Sequence, residues 1–305
     1  MDYIQQAYKG TLGMWKYLII PILFFGLVAL NSLAINLLNI DVEEIIQKEI
    51  QEKGANRFLL ESMIPFVVGL AMVFFWVKYV HNQSITSLST SRKKIDWKRV
   101  FFSFTLWAMV TLIIFCIGYF MTPENYQWNF QLDSFLVLVV ISIVLIPIQT
   151  SFEEYFFRGY LMQGLGVAFK NRWIPLLVTS LIFGLLHIEN PEVAKLGKLI
   201  LVYYIGTGFF LGIITLMDEG IELALGFHAA NNLVTALLVT ADWTAFQTNS
   251  LFLDKSEPTL GYDVFIPVLI IYPLLLVLFS KKYGWSNWQQ KLFGKVEKPM
   301  LNEVQ

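Results

Sequence analysis

Apolar residues in this chain come in runs of about 20, and a run of that length is what an α-helix needs to cross the hydrocarbon of a bilayer. The pattern predicts eight spanning helices, at roughly residues 15–38, 58–80, 100–121, 135–158, 173–189, 199–217, 220–240 and 263–280. The fold class expected is therefore all-α: a polytopic membrane protein with about eight helices in one bundle. The fifth run is short. The sixth and seventh are parted only by Met217-Asp218-Glu219-Gly220, so they must form a tight helical hairpin. Between the first two runs, Ile45, Ile46 and Ile50 recur at helical spacing among charges. That segment, Asp41 to Arg57, fits either an amphipathic helix on the membrane surface or a plain extramembrane loop helix. No internal repeat and no Gly/Ser linker divides the chain.

Composition agrees with the pattern. Of 305 residues, 56% are hydrophobic and 15% charged, against about a quarter charged in soluble domains. A net charge of -1 without a basic patch excludes nucleic acid as a partner and leaves the lipid bilayer as the first one. Charge does report orientation, because cytoplasmic loops carry the excess of Lys and Arg. Arg92, Lys93, Lys94, Lys98 and Arg99, then Lys170 and Arg172, then Lys281, Lys282, Lys291, Lys295 and Lys298 all fall on one side of an eight-span chain. Both termini are thus expected in the cytoplasm. Ser32-Leu-Ala34 could pass as a signal-peptide cleavage site, but the apolar run continues past it, so a retained first helix is expected. The single cysteine, Cys116, lies within an apolar run, where a buried thiol acts as a small hydrophobe. The aromatic residues Trp243, Phe246 and Phe252 of the outer segment before the last span are expected as an interfacial belt.

Against that background a few ionisable groups stand out, since they are costly in lipid and usually mark function. Gln149-Thr-Ser-Phe-Glu-Glu-Tyr-Phe-Phe-Arg158 closes the fourth run. Residues four apart share a helix face, so Glu154 pairs with Arg158, while Glu153 points elsewhere with no local cation. A desolvated carboxyl suits a general base. The alternative is that both glutamates snorkel from a helix end with Arg158 as a positive-inside anchor. Phe183-Gly-Leu-Leu-His187 follows in the fifth span, His187 falling about 20 Å from Trp173 by helical rise. It is either a deep catalytic imidazole or a packing residue at the outer interface. For Glu153 to meet it, the fourth helix should continue past Arg158 into Gly159-Tyr-Leu-Met-Gln163. In the seventh span, His228 and Asn232 share one face, with Ala229 and Ala230 allowing close approach. Together they could donate to a developing oxyanion, or serve as interhelical hydrogen-bond glue.

Glu-Glu-x-x-x-Arg, Phe-x-x-x-His and His-x-x-x-Asn, in that order on three membrane helices, resemble the CAAX protease and bacteriocin-processing (CPBP, or Abi) family, related to type II CAAX prenyl proteases. Phe157-Arg158-Gly159 and Leu186-His187-Ile188 are similar to that family as well. The resemblance covers residues 135–240, which would be the catalytic core between N-terminal membrane helices (1–134) and a last span with its cytoplasmic tail (241–305). It implies an intramembrane endopeptidase whose site opens toward the cytoplasmic side. By position, Glu153 would activate water, His187 would help hold it, His228 and Asn232 would form the oxyanion hole, and Glu154 and Arg158 would support the site. A metal-free glutamate mechanism is expected, with no cofactor. Catalytic zinc is the alternative, although His-Glu-x-x-His is absent. There is no Gly-x-Ser-x-Gly elbow, which argues against a serine nucleophile. The expected substrate is a membrane-tethered protein or peptide cut near the cytoplasmic face of a bacterial inner membrane. The competing reading is a non-enzymatic scaffold or bacteriocin self-immunity protein; a proton-relay transporter fits less well, because no repeats or broken-helix pairs are visible.

Overall fold

The computed structural model describes residues 1–300. The helices are α1 (Met14–Leu37), α2 (Val42–Lys53), α3 (Ala55–Phe75), α4 (Ile85–Ser89), α5 (Trp97–Met121), α6 (Leu132–Glu154), α7 (Met162–Phe169), α8 (Trp173–Leu185), α9 (Pro191–Leu196), α10 (Leu201–Asp218), α11 (Glu222–Leu238), α12 (Tyr272–Tyr283) and α13 (Trp288–Phe293). The chain is an all-α polytopic membrane protein, with helix at each of the eight expected spans. Among the described residues, five helical segments are long and apolar enough to cross a membrane: Met14–Leu37, Ala55–Val80, Trp97–Met121, Leu132–Phe169 and Lys198–Asp218. The other three expected spans are carried by the shorter helices α8, α11 and α12.

Leu132–Phe169 is one continuous helix because a π-helical segment, Tyr155–Leu161, joins α6 to α7. Its 38 residues give about 57 Å of length, nearly twice a hydrocarbon core of about 30 Å. The helix therefore does run past Arg158, and Glu153 stands well inside it rather than at its end. π-Helical turns of this kind occur often beside functional groups.

Close approach holds the bundle around that helix. A Cβ on Gly208 of α10 would lie 2.6 Å from the Ser180 carbonyl oxygen of α8, and one on Gly226 of α11 would lie 2.0 Å from the Val100 carbonyl oxygen of α5. Only glycine lets these backbones touch, a common device where lipid offers no hydrophobic drive to associate. The hairpin at 217–220 forms as expected, with Glu219 in the left-handed region (φ 59°) between α10 and α11. An aromatic core of Phe152, Phe156, Phe157, Phe183, Phe210 and Phe227 fills the centre.

The two ends of the bundle differ. At one end the basic loops are tied down by ion pairs: Arg92 and Arg99 to Asp218, Arg92 to Glu222 (3.2 Å), Lys291 to Glu219 (2.6 Å) and Arg172 to Asp2. The N-terminal segment is packed into this end, with Tyr3, Ile4 and Ala7 fully buried. The opposite end carries α2, α9 and a small sheet of order β1-β3-β2, formed by β1 (Tyr126–Trp128), β2 (Val239–Thr240) and β3 (Phe252–Asp254). There Glu43 pairs with Lys195 (3.0 Å), and Gln47 donates to the Asp242 carbonyl (2.5 Å). The α2 helix is amphipathic in place, burying Ile46 under an Asp41 N-cap.

One expectation about a side chain changes. Cys116 is exposed on the lipid-facing side of α5 among Leu112, Ile113, Ile117 and Phe120, because one α5 face packs on α11 and the opposite one meets the bilayer. Of the outer aromatics, Phe246 packs on the Leu59, Met63 and Leu138 cluster, and Phe252 stacks among Phe115, Tyr119 and Trp128.

Candidate active site

The site is built from side chains of α6, its π-helical continuation and α11. Arg158 and Glu154 are both fully buried, and the Arg158 Nη1 donates to Glu154 Oε1 at 2.9 Å. The i,i+4 pairing read from the sequence is present. The second Arg158 nitrogen donates to the Gly208 carbonyl at 3.2 Å, a contact that depends on the glycine-mediated approach of α10. The guanidinium also lies over the Phe183 ring at 4.3 Å.

From Glu154 the network continues across helices. The same Oε1 accepts from His228 Nδ1 at 2.8 Å, so Nδ1 carries a proton. On its other side His228 Nε2 is 3.5 Å from Glu153 Oε2. Glu153 accepts from Gln149 Nε2 (2.6 Å); Gln149 Oε1 accepts from Asn232 Nδ2 (3.0 Å); Asn232 Oδ1 accepts from Asn231 (3.0 Å); and Asn231 Oδ1 accepts from Trp107 Nε1 of α5 (3.0 Å). Glu153, Glu154, Arg158, His228 and Asn232 thus stand in one connected array. With an imidazolium at His228, two carboxylates and two cations cancel, as a buried cluster requires.

Sequence reasoning missed Gln149, Asn231 and Trp107. Gln149 lies four residues before Glu153, so helical spacing could have found it. Asn231 and Trp107 meet only through tertiary packing.

His187 lies beyond the end of its helix rather than deep within it. The α8 helix ends at Leu185, and His187 sits in the turns that follow, its N–H donating to the Gly184 carbonyl. The cause is Asn190-Pro191: a residue before proline is driven out of the helical region, and Asn190 is extended (ψ 142°). Leu186 and Ile188 kept the apolar run going and masked the break. The His187 Nδ1 lies 2.9 Å from the Phe183 carbonyl, which can only accept, so the proton is on Nδ1 and Nε2 is left as an acceptor. Its ring stacks on Tyr204 at 4.1 Å and 14°. Tyr204 in turn donates to Glu192 (2.7 Å), whose other oxygen accepts from the Ala245 backbone N–H (3.0 Å). The Phe183 ring neighbours both imidazoles, 5.4 Å from His187 and 5.8 Å from His228.

Both parts face one cavity of about 1110 Å³, lined by Gln149, Glu153, His187 and Asn232 among apolar side chains such as Phe66 and Phe152. Ordinary ligand pockets run to about 1,000 Å³, so it has room for a segment of polypeptide. Among the described residues no three His, Cys, Asp or Glu side chains stand together as a metal shell, and both His228 nitrogens face carboxylates. The donors do not fit a zinc site in this arrangement.

A polytopic helical bundle that buries a carboxylate, guanidinium and imidazole array beside a large cavity defines the class: an integral membrane protein built around a buried polar centre. The more particular match is to a family. The model described as type II CAAX prenyl endopeptidase Rce1-like matches residues 131–234, which hold Gln149, Glu153, Glu154, Arg158, His187, His228 and Asn232. The family recognised from the three motifs is borne out over that segment. The chain is also similar to a Bacillus subtilis (strain 168) protein, "Uncharacterized protein YyaK", at 28% identity over 239 residues, 76% of this chain and 80% of that one. No solved structure matches.

Proposed function

We propose that this protein is an intramembrane endopeptidase that hydrolyses a peptide bond in a membrane-associated protein, with water activated by Glu153. The single observation that carries the reading is the array in which Glu153, on the cavity wall, is bracketed by Gln149 and His228 while Glu154 is held by Arg158. The Rce1-like match over residues 131–234 supports a peptidase.

In this mechanism Glu153 takes a proton from water, and His187 Nε2 accepts the other hydrogen to hold it. The hydroxide adds to the scissile carbonyl carbon. The oxyanion is met by His228 Nε2–H and by the Asn232 carboxamide, whose NH₂ has a second donor besides the one given to Gln149. Collapse breaks the C–N bond as Glu153 passes its proton to the leaving amine. Glu154 keeps His228 oriented, and Arg158 holds Glu154 in place. The protein works as an integral protein of a bacterial inner membrane, with its termini in the cytoplasm.

Glu153→Gln tests this. Protein termini are compared in membranes from cells expressing either form at matched abundance; general-base loss should cut the rate by about 10²–10⁴-fold, so the wild-type termini vanish. An unchanged set of termini refutes the mechanism and leaves the scaffold or immunity reading.

A further inference from the structure

From a floor at the centre of the bundle, where Phe152, Glu153, Phe157 and Phe183 lie, the cavity wall continues toward one end only. That wall is formed by the C-terminal half of α1 (Phe24 to Ile35), the middle of α3 (Ser62 to Phe66), the turn after α8 (Leu186 to Glu192), the start of α10 (Tyr203, Tyr204) and the segment from the end of α11 to Phe246. None of the basic loop residues 92–99, 170–172 or 281–298 lines it. Toward the basic end the site is closed: Tyr3, Leu88, Arg158, Tyr160 and Glu222 are each no more than 1% exposed. The Tyr3 hydroxyl donates to the carbonyls of Leu88 (2.8 Å) and Arg158 (3.0 Å), so the N-terminal segment is a plug beneath the catalytic helix.

Cytoplasmic opening, which the resemblance implied, and basic loops in the cytoplasm therefore do not hold together in this chain. The distribution of Lys and Arg is the stronger constraint, since the basic side is crowded with them in loops short enough for the positive-inside rule to apply. Resting on the peptidase reading, we infer that the substrate reaches Glu153 from the extracytoplasmic face. It is a segment of an exported or membrane-anchored protein lying at the outer leaflet, not a cytoplasmic tail. The mouth suits such a partner. Its walls are mostly apolar, while its rim carries polar groups already engaged with one another, Ser32 donating to Glu189 (2.6 Å) and Glu192 holding Ala245. An apolar stretch of chain entering between α1 and the Ala245 segment would leave water without unpairing a rim group.

Accessibility tests this directly. In a Cys116→Ser background, Thr244→Cys marks the mouth and Lys94→Cys the basic end; a membrane-impermeant maleimide is applied to intact cells or to permeabilised ones. The expected result is labelling of the mouth position in intact cells, of the basic-end position only after permeabilisation, and loss of Glu153-dependent cleavage on labelling the mouth. Labelling of Thr244→Cys only after permeabilisation overturns the inference. So does outside labelling combined with Glu153-dependent termini that an impermeant amine reagent cannot reach in intact cells. If no termini depend on Glu153, the peptidase reading fails while the labelling still decides where the cavity opens. Should Thr244→Cys fail to fold, Asp242→Cys on the exposed rim gives the same readout.

Discussion

Arg158→Met is the sharpest probe of how the site is held together. It removes the bond to Glu154 Oε1 (2.9 Å), the bond to the Gly208 carbonyl (3.2 Å) and the contact with the Phe183 ring (4.3 Å), while keeping most of the side-chain volume. Packing loss is thus small, and the main effect is electrostatic. Glu154 has no access to solvent, and its Oε2 has no hydrogen-bond partner among the described residues, so the substitution leaves a buried carboxylate with only His228 to answer it. Breaking one side of a buried pair costs about 3–5 kcal/mol, whereas replacing both members by neutral groups is often close to neutral. Unfolding in mixed micelles, followed by tryptophan fluorescence against SDS mole fraction, measures this for Arg158→Met, Glu154→Gln and the double variant. Each single variant should lose about 3–5 kcal/mol, and the double variant should lose less than the sum of the two by a similar amount. A loss below about 1 kcal/mol in Arg158→Met, or strict additivity in the double variant, would refute the view that the pair forms one neutralised unit.

Other outcomes follow from the same geometry. Tyr204→Leu removes the ring on which His187 stacks and should lower Glu153-dependent turnover about tenfold to a hundredfold, with Tyr204→Phe retaining most of it; equal rates in all three would deny Tyr204 a positioning role. Gly208→Ala drives a methyl against the Ser180 carbonyl, and should cost about 1–3 kcal/mol and displace the carbonyl that Arg158 uses, read as joint loss of stability and activity. His81, just past the α3 span, has its imidazole held below the ordinary value of 6.5, first by burial, while its ring nitrogens face Thr11 and Tyr160. The unfolded chain takes up a proton there that the fold resists, so the contribution is complete above about pH 6.5 and is lost as pH falls below it. His81→Gln should flatten that acid-side decline in a pH series of unfolding midpoints; an unaltered slope would assign it to other groups.

Much of the architecture was legible because lipid enforces it locally. Runs of about 20 apolar residues must be helical, since a bilayer leaves no other way to satisfy the backbone, and helices do stand at those runs. The Glu154–Arg158 pair was equally legible, being a matter of helical spacing within one turn. So was the hairpin at 217–220, where four residues cannot do anything else. Even the extension of the fourth helix beyond Arg158 followed from asking what depth Glu153 needs.

What the tertiary structure alone decided were the relations between segments. Hydrophobicity could not see α8 stop at Leu185, because Leu186 and Ile188 are as apolar as the helix before them, and the break comes from Asn190-Pro191 and the pairing of Glu192 with Tyr204 and Ala245. The bridge from Glu153 through Gln149 and Asn232 to Trp107 joins three helices whose order in the chain carries no trace of it. Nor could periodicity place the cavity mouth. Which end of a bundle is closed depends on what fills it, and here the closing group is Tyr3, some 155 residues in sequence from the Arg158 carbonyl it meets. Local geometry depends on neighbours a few bonds away, whereas burial and closure depend on the whole packed chain.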